Sequence, residues 1–200
     1  MAALCAALDS SSAVVRDAGL MLTRDLAAAA LPSLFLPALP ALLPRLLACA
    51  AEQEEREVAV AADEALGQLL LRAPPQSCLG LLAPRLPPAG APLSVDRQQG
   101  AELHAAIRSL RRVVVRMQPA GLGAHLQPVL MPGLCAAYRS PLADVRKATV
   151  DCLVGIWQVG VWVASWFWPI VRQHCARLLA HAGRADRRPL CVAWPCGHIC

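Results

Sequence analysis

A helix-length apolar stripe recurs four times along this chain, and that repetition limits its fold more than any other feature. Around Val15, Ala59, Leu103 and Val145, an alanine stands three residues on (Ala18, Ala62, Ala106, Ala148). Seven residues on stand Leu22, Leu66, Leu110 and Cys152, and eleven on stand Leu26, Leu70, Val114 and Ile156. Positions i, i+3, i+7 and i+11 lie on one face of an α-helix, so the same amphipathic helix is written four times. The starting residues are 44, 44 and 42 apart. A helix that buries only one stripe needs neighbours, and equal spacing supplies them from the chain itself. The small alanine near each helix start predicts close approach of adjacent helices.

Between these helices lie the stretches that complete each hairpin: Leu34 to Ala50, Ser77 to Leu86 and Leu122 to Tyr138. Met1 to Leu8 reads as the tail of a truncated first one. Ser10 to Ser12 and Ser140 with Pro141 precede the first and last repeated helices as start signals. Pro37, Pro40 and Pro44 sit badly in one apolar run, because an interior proline costs about 3 kcal/mol. That helix is expected to start late or kink. Residues 87–98 form the longest loop. A period of 42–44 residues is that of HEAT and armadillo units, and the predicted fold is an all-α solenoid of about four helical hairpins over residues 1–156.

Composition divides the chain at the same place. Overall it carries a net charge of +5 and is 56% hydrophobic, which excludes disorder and collagen. Residues 1–156 hold 13 Arg and one Lys against 13 acidic residues, whereas residues 157–200 hold five Arg against Asp186 alone. Only Phe35 and Tyr138 are aromatic before Trp157. A nearly neutral solenoid lacks the basic face that phosphates require, so nucleic acid is not an expected partner. The nine cysteines are odd in number and irregularly spaced, and most lie in apolar helical patterns. With no basic region ahead of Asp9 to suggest a cleavable signal, the reading is a reduced, intracellular protein.

Several stretches resemble a known family. Val145-Arg146-Lys147-Ala148-Thr149-Val150, with Cys152-Leu153-Val154, is similar to the last repeat in the C-terminal domain of the cytoplasmic linker-associated proteins (CLASP). Met131-Pro132-Gly133-Leu134 with Tyr138 resembles the paired helix of that repeat. Glu57-Val58, Ala62, Glu64-Ala65, then Pro75-Gln76 and Cys78 resemble the preceding units in order. The likeness covers residues 10–156 and implies a TOG/HEAT array of a microtubule plus-end regulator, found in the cytoplasm at plus ends, spindle and kinetochore. It further implies a module that docks linker, kinetochore or cortical proteins, and contact with tubulin in related arrays.

The edge that such arrays use consists here of Asp9 to Ser12, Glu52 to Glu57, Asp96-Arg97 and Arg139 to Asp144. Tubulin is acidic, yet the second of these loops presents four carboxylates, which favours docking of other proteins over tubulin capture. Arg16, Arg139, Arg146 and Lys147 are the candidate contacts for an acidic partner; the alternative is that they start solvated helices and form surface ion pairs. No phosphate-binding loop, HExxH, GxSxG or isolated carboxylate pair is present, so neither catalysis, cofactor nor metal is expected. His104 reads as a repeat-surface residue. The alternative functions are a generic HEAT scaffold unrelated to microtubules and, ranked below it, a membrane-anchored helical protein through 152–171.

The 157–200 tail, rich in Trp, Arg and Cys, reads as isoform-specific or foreign to the family, and Gln158-Val159 is compatible with a splice donor. Cys152 to Val171 is an uncharged run of membrane-spanning length, but Cys152 and Ile156 are claimed by the fourth repeated helix. A packed or interfacial helix is the other alternative for this run. Cys191, Cys196, His198 and Cys200 fit no standard zinc spacing.

Overall fold

The computed structural model describes residues 1–29, 35–90 and 96–160. Among them the order is α1 (Ala2–Leu8), α2 (Ala13–Ala29), a 3-10 turn (Leu36–Ala38), α3 (Leu39–Ala50), α4 (Arg56–Arg72) and α5 (Pro75–Leu82). A second 3-10 turn (Ala83–Arg85), α6 (Arg97–Val114), α7 (Pro119–His125), a π turn (Leu126–Leu130), α8 (Met131–Ala137) and α9 (Ala143–Gly160) follow. There is no strand among the described residues.

The four repeated helices, α2, α4, α6 and α9, form one layer in which α2 packs on α4, α4 on α6 and α6 on α9. Helices α1, α3, α5 and α8 pack beneath them, α1 on α2, α3 on α4, α5 on α6 and α8 on α9. This is the all-α, solenoid-like stack that the repeated stripe predicts.

Prolines set four of the nine helix starts among the described residues. Pro40, Pro75, Pro119 and Pro132 stand in the first turns of α3, α5, α7 and α8, where a backbone N–H has no helical partner to lose. The expected late start of the Leu34–Ala50 helix is observed: Pro37 lies in a 3-10 turn and the α-helix begins at Leu39. Pro44 alone is interior. Helix α4 has Glu57 in its first turn and Arg72 in its last, both favourable to its dipole. Asp96 starts α6 by accepting from the Gln98 amide at 3.1 Å.

The stretch expected to be one helix from Leu122 to Tyr138 is broken into α7, the π turn and α8. Pro128 and Pro132 each lack an amide hydrogen, so the ladder cannot run unbroken through 124–132. Gly133 then lets α8 approach the end of the second hairpin, since a Cβ there would lie 2.6 Å from the Leu86 Cβ.

The stripe itself divides. Ala62, Leu66 and Leu70 of α4, Ala106, Leu110 and Val114 of α6, and Val145, Ala148, Cys152 and Ile156 of α9 are buried. Ala59 and Leu103 are half-buried. In α2 the expectation fails: Val15, Ala18, Leu22 and Leu26 are exposed, and Gly19, Leu20, Thr23 and Ala27 are buried instead. Among the described residues helix α2 has a layer neighbour only at α4, so its core face turns toward α4 and α1 while the stripe faces away. Gly19 supports that turn, because a Cβ there would sit 3.2 Å from the Ala7 Cβ of α1.

Helix α9 continues to Gly160, past the boundary at 156/157. The remainder of the tail lies outside the described residues, as do most of the run to Val171 and the Cys191–Cys200 group. No helix among the described residues is long and apolar enough to cross a membrane.

Candidate partner-binding edge

The turns α1–α2 and α3–α4 and the start of α6 are tied to one another along one edge. Arg16 of α2 donates to Glu55 and lies 4.0 Å from Glu52, both in the α3–α4 turn. Arg45 of α3 donates to both Asp9 oxygens at 3.0 and 2.8 Å. Gln53 Nε2 donates to the Arg97 carbonyl at 3.0 Å. Much of the acidic loop Glu52 to Glu57 is therefore engaged within the protein, leaving Glu54 and Glu57 exposed without an ion pair among the described residues.

Two of the four basic residues read from the sequence serve the fold. Arg16, with its side chain only 14% exposed, also donates to the Ser10 carbonyl at 2.8 Å. Arg146 repeats the device, donating at 2.8 Å to the Ser140 and Pro141 carbonyls. In both turns the serine hydroxyl accepts an amide two residues on, from Ser12 and from Leu142, each at 3.2 Å. Arg139 and Lys147 differ: both are exposed and carry no ion pair among the described residues. Arg139 thus stands in the α8–α9 turn and Arg146 and Lys147 at the start of α9, while Arg16 stands apart on α2.

Lys147 also borders an open groove of about 500 Å³ between α6 and α9, lined by His104, Arg108, Arg111 and Arg112 on one wall and Asp144 and Asp151 on the other. Arg108, Arg111 and Arg112 of α6, with Arg116 in the turn after it, face two ways. Arg108 and Arg112 donate to the Asp63 carboxylate of α4 at 2.9 and 2.6 Å, and Arg116 donates to the Leu70 and Ala73 carbonyls at the end of α4. Arg111 instead lies beside Gly155 of α9, whose missing Cβ leaves room for Val115 and for the Arg111 stem. Arg111 is an exposed cation that reading the loops overlooks; the Arg108-Arg111-Arg112 spacing on one helix is the signal for it. Burial and the neighbouring Arg108 hold the His104 imidazole below its ordinary pKa, so at neutral pH it adds no charge to this groove.

The chemistry available here is recognition. Guanidinium and ammonium groups beside a few carboxylates can make charge-assisted hydrogen bonds to an acidic protein segment. Among the described residues no group of His, Cys, Asp and Glu could hold a metal ion.

No family model matches the chain. It is 33% identical over 108 residues to CLIP-associating protein 1 of Xenopus tropicalis, covering 54% of this chain and 7% of that protein. CLIP-associating proteins 1-A and 1-B of Xenopus laevis are 33% and 32% identical over the same length, again 54% of this chain and 7% of theirs. About half of the chain is CLASP-like. The chain thus spans only 7% of the length of the curated relatives it matches, and the CLASP-like region joins an all-α, solenoid-like stack whose edge is polar and largely self-paired.

Proposed function

We propose that this chain is a non-catalytic docking module of a CLASP-like, microtubule-associated protein. It works in the cytoplasm at microtubule plus ends, the spindle and kinetochores. Its partners are cytoplasmic linker, kinetochore or cortical proteins, and it contributes to microtubule stabilisation through them. The observation that carries the reading is the similarity to proteins named for association with CLIP, found on a fold that exposes Arg139 in the α8–α9 turn and Lys147 near the start of α9. Glu54 and Glu57 on the same edge oppose direct capture of acidic tubulin and favour a protein adaptor.

The full 200-residue chain, immobilised, is expected to retain a cytoplasmic linker protein, and R139E with K147E to lose most of that capture at unchanged thermal stability. Co-pelleting with microtubules is expected to require the linker. Absence of both linker capture and pelleting would sink the reading and leave a HEAT scaffold unrelated to microtubules. Binding that R139E and K147E do not weaken would remove the α8–α9 turn from the contact.

A further inference from the structure

We infer that the exposed face of α2 is an inter-repeat seat, shaped to receive another helical hairpin of this same repeat stacked ahead of α1 and α2. The inference begins with a duplication. Residues 1–18 and 131–148 share ten identical residues: Met1/Met131, Leu4/Leu134, Cys5/Cys135, Ala6/Ala136, Ala7/Ala137, Ser10/Ser140, Ala13/Ala143, Val15/Val145, Arg16/Arg146 and Ala18/Ala148. The copies share geometry too, since both enter the long helix through the same serine turn held by the arginine six residues on. The starts of helices α2 and α9 therefore correspond at a separation of 130.

Equivalent residues meet opposite fates. Val145, Ala148, Cys152 and Ile156 are 1%, 5%, 0% and 1% exposed. Their counterparts Val15, Leu22 and Leu26 are 43%, 51% and 41% exposed, and Ala18 is exposed as well. The difference is a neighbour. Helix α9 has α6 beside it, whereas nothing among the described residues lies on the corresponding side of α2. Val14, 79% exposed, stands beside this strip. Stacked repeats bury continuous seams, and a repeat that ends an array carries a polar outer face. The outer face of α2 is apolar and keeps the seam pattern of the interior repeats, so its occupant is a hairpin presenting what α6 presents to α9.

The test uses the full chain. Residues 97–130 are fused directly ahead of Met1, so that they lead into Met1 as they lead into Met131. In the fused protein L22E should lower the Tm by about 5 °C or more, because it places a charge in a closed seam; in the original chain it should change the Tm by about 1 °C at most. Equal effects in the two proteins would overturn the inference. Sedimentation equilibrium of the original chain should show a monomer. A dimer that L22E dissociates would mean that a second copy fills the seat, which also overturns it. If the fusion does not unfold as one cooperative unit, the residues 97–130 peptide is added in trans. Slower amide exchange across Val15–Leu26 then supports the seat, and unchanged exchange overturns it.

Discussion

The Asp63 carboxylate of α4 accepts from Arg112 of α6 at 2.6 Å, and the same side chain also holds Arg108. One acid thereby fixes two turns of the neighbouring repeat. Both groups are about one-third exposed, so solvent weakens the pair. D63N is expected to cost about 1 kcal/mol, with a D63N/R112A coupling of roughly 0.5–1 kcal/mol that shrinks in high salt. Urea titration of the double-mutant cycle measures it, and zero coupling would mean that the pair does not hold the repeats together.

Gly133 is where α8 meets the end of the second hairpin. A methyl group there would lie 2.6 Å from the Leu86 Cβ, an atom that cannot swing aside without its backbone. G133A should therefore destabilise by about 1–3 kcal/mol despite alanine's better helix propensity. A Tm equal to or above that of the original chain would refute the close approach.

Ser109 offers the opposite sign. It is 1% exposed within α6, and its hydroxyl has no hydrogen-bond partner among the described residues. Removing that buried oxygen ends a desolvation penalty and improves helix propensity, so S109A should stabilise by about 1 kcal/mol. Chemical denaturation distinguishes a gain from the loss expected of a partnered serine.

The buried thiols give the protein an alkaline limit. Burial raises the Cys78 thiol from 9.0 to about 11 and the Cys152 thiol to about 12. Above pH 9 the unfolded chain releases these protons while the folded chain keeps them, so stability falls as pH rises. The contribution is intact below pH 9 and is lost between pH 9 and about 11 for Cys78, and between 9 and about 12 for Cys152. Each thiol contributes a slope of about 1.4 kcal/mol per pH unit. C152A should flatten the decline between pH 9 and 10.5, and an unchanged slope would contradict the shift. Cys5, half-buried, should react with a thiol reagent at pH 8 well ahead of Cys78 and Cys152.

The layer of repeated helices is legible in the sequence because Ala62, Ala106 and Ala148 keep one phase with the leucines that follow them. The stripe of α2 keeps that phase too, but a pattern records which face is apolar and leaves open whether anything covers it. Arg16 and Arg146 read as surface cations because charge is visible in a sequence, whereas the carbonyl six residues back comes within reach only when the serine turn forms. The π turn at Leu126–Leu130 lies inside an apolar run whose periodicity masks the missing amides of Pro128 and Pro132. The 42–44-residue period likewise hides the closer likeness at 130.

That likeness has a kinetic consequence. The slot beside α6 is made for α9, yet α1–α2 carries the same entry turn, the same alanine and the same first apolar positions. A chain refolding among others can seat a neighbour's α1–α2 where its own α8–α9 belongs, as repeat proteins are prone to do. The molecule contains its own competitor, and dilution favours the correct choice.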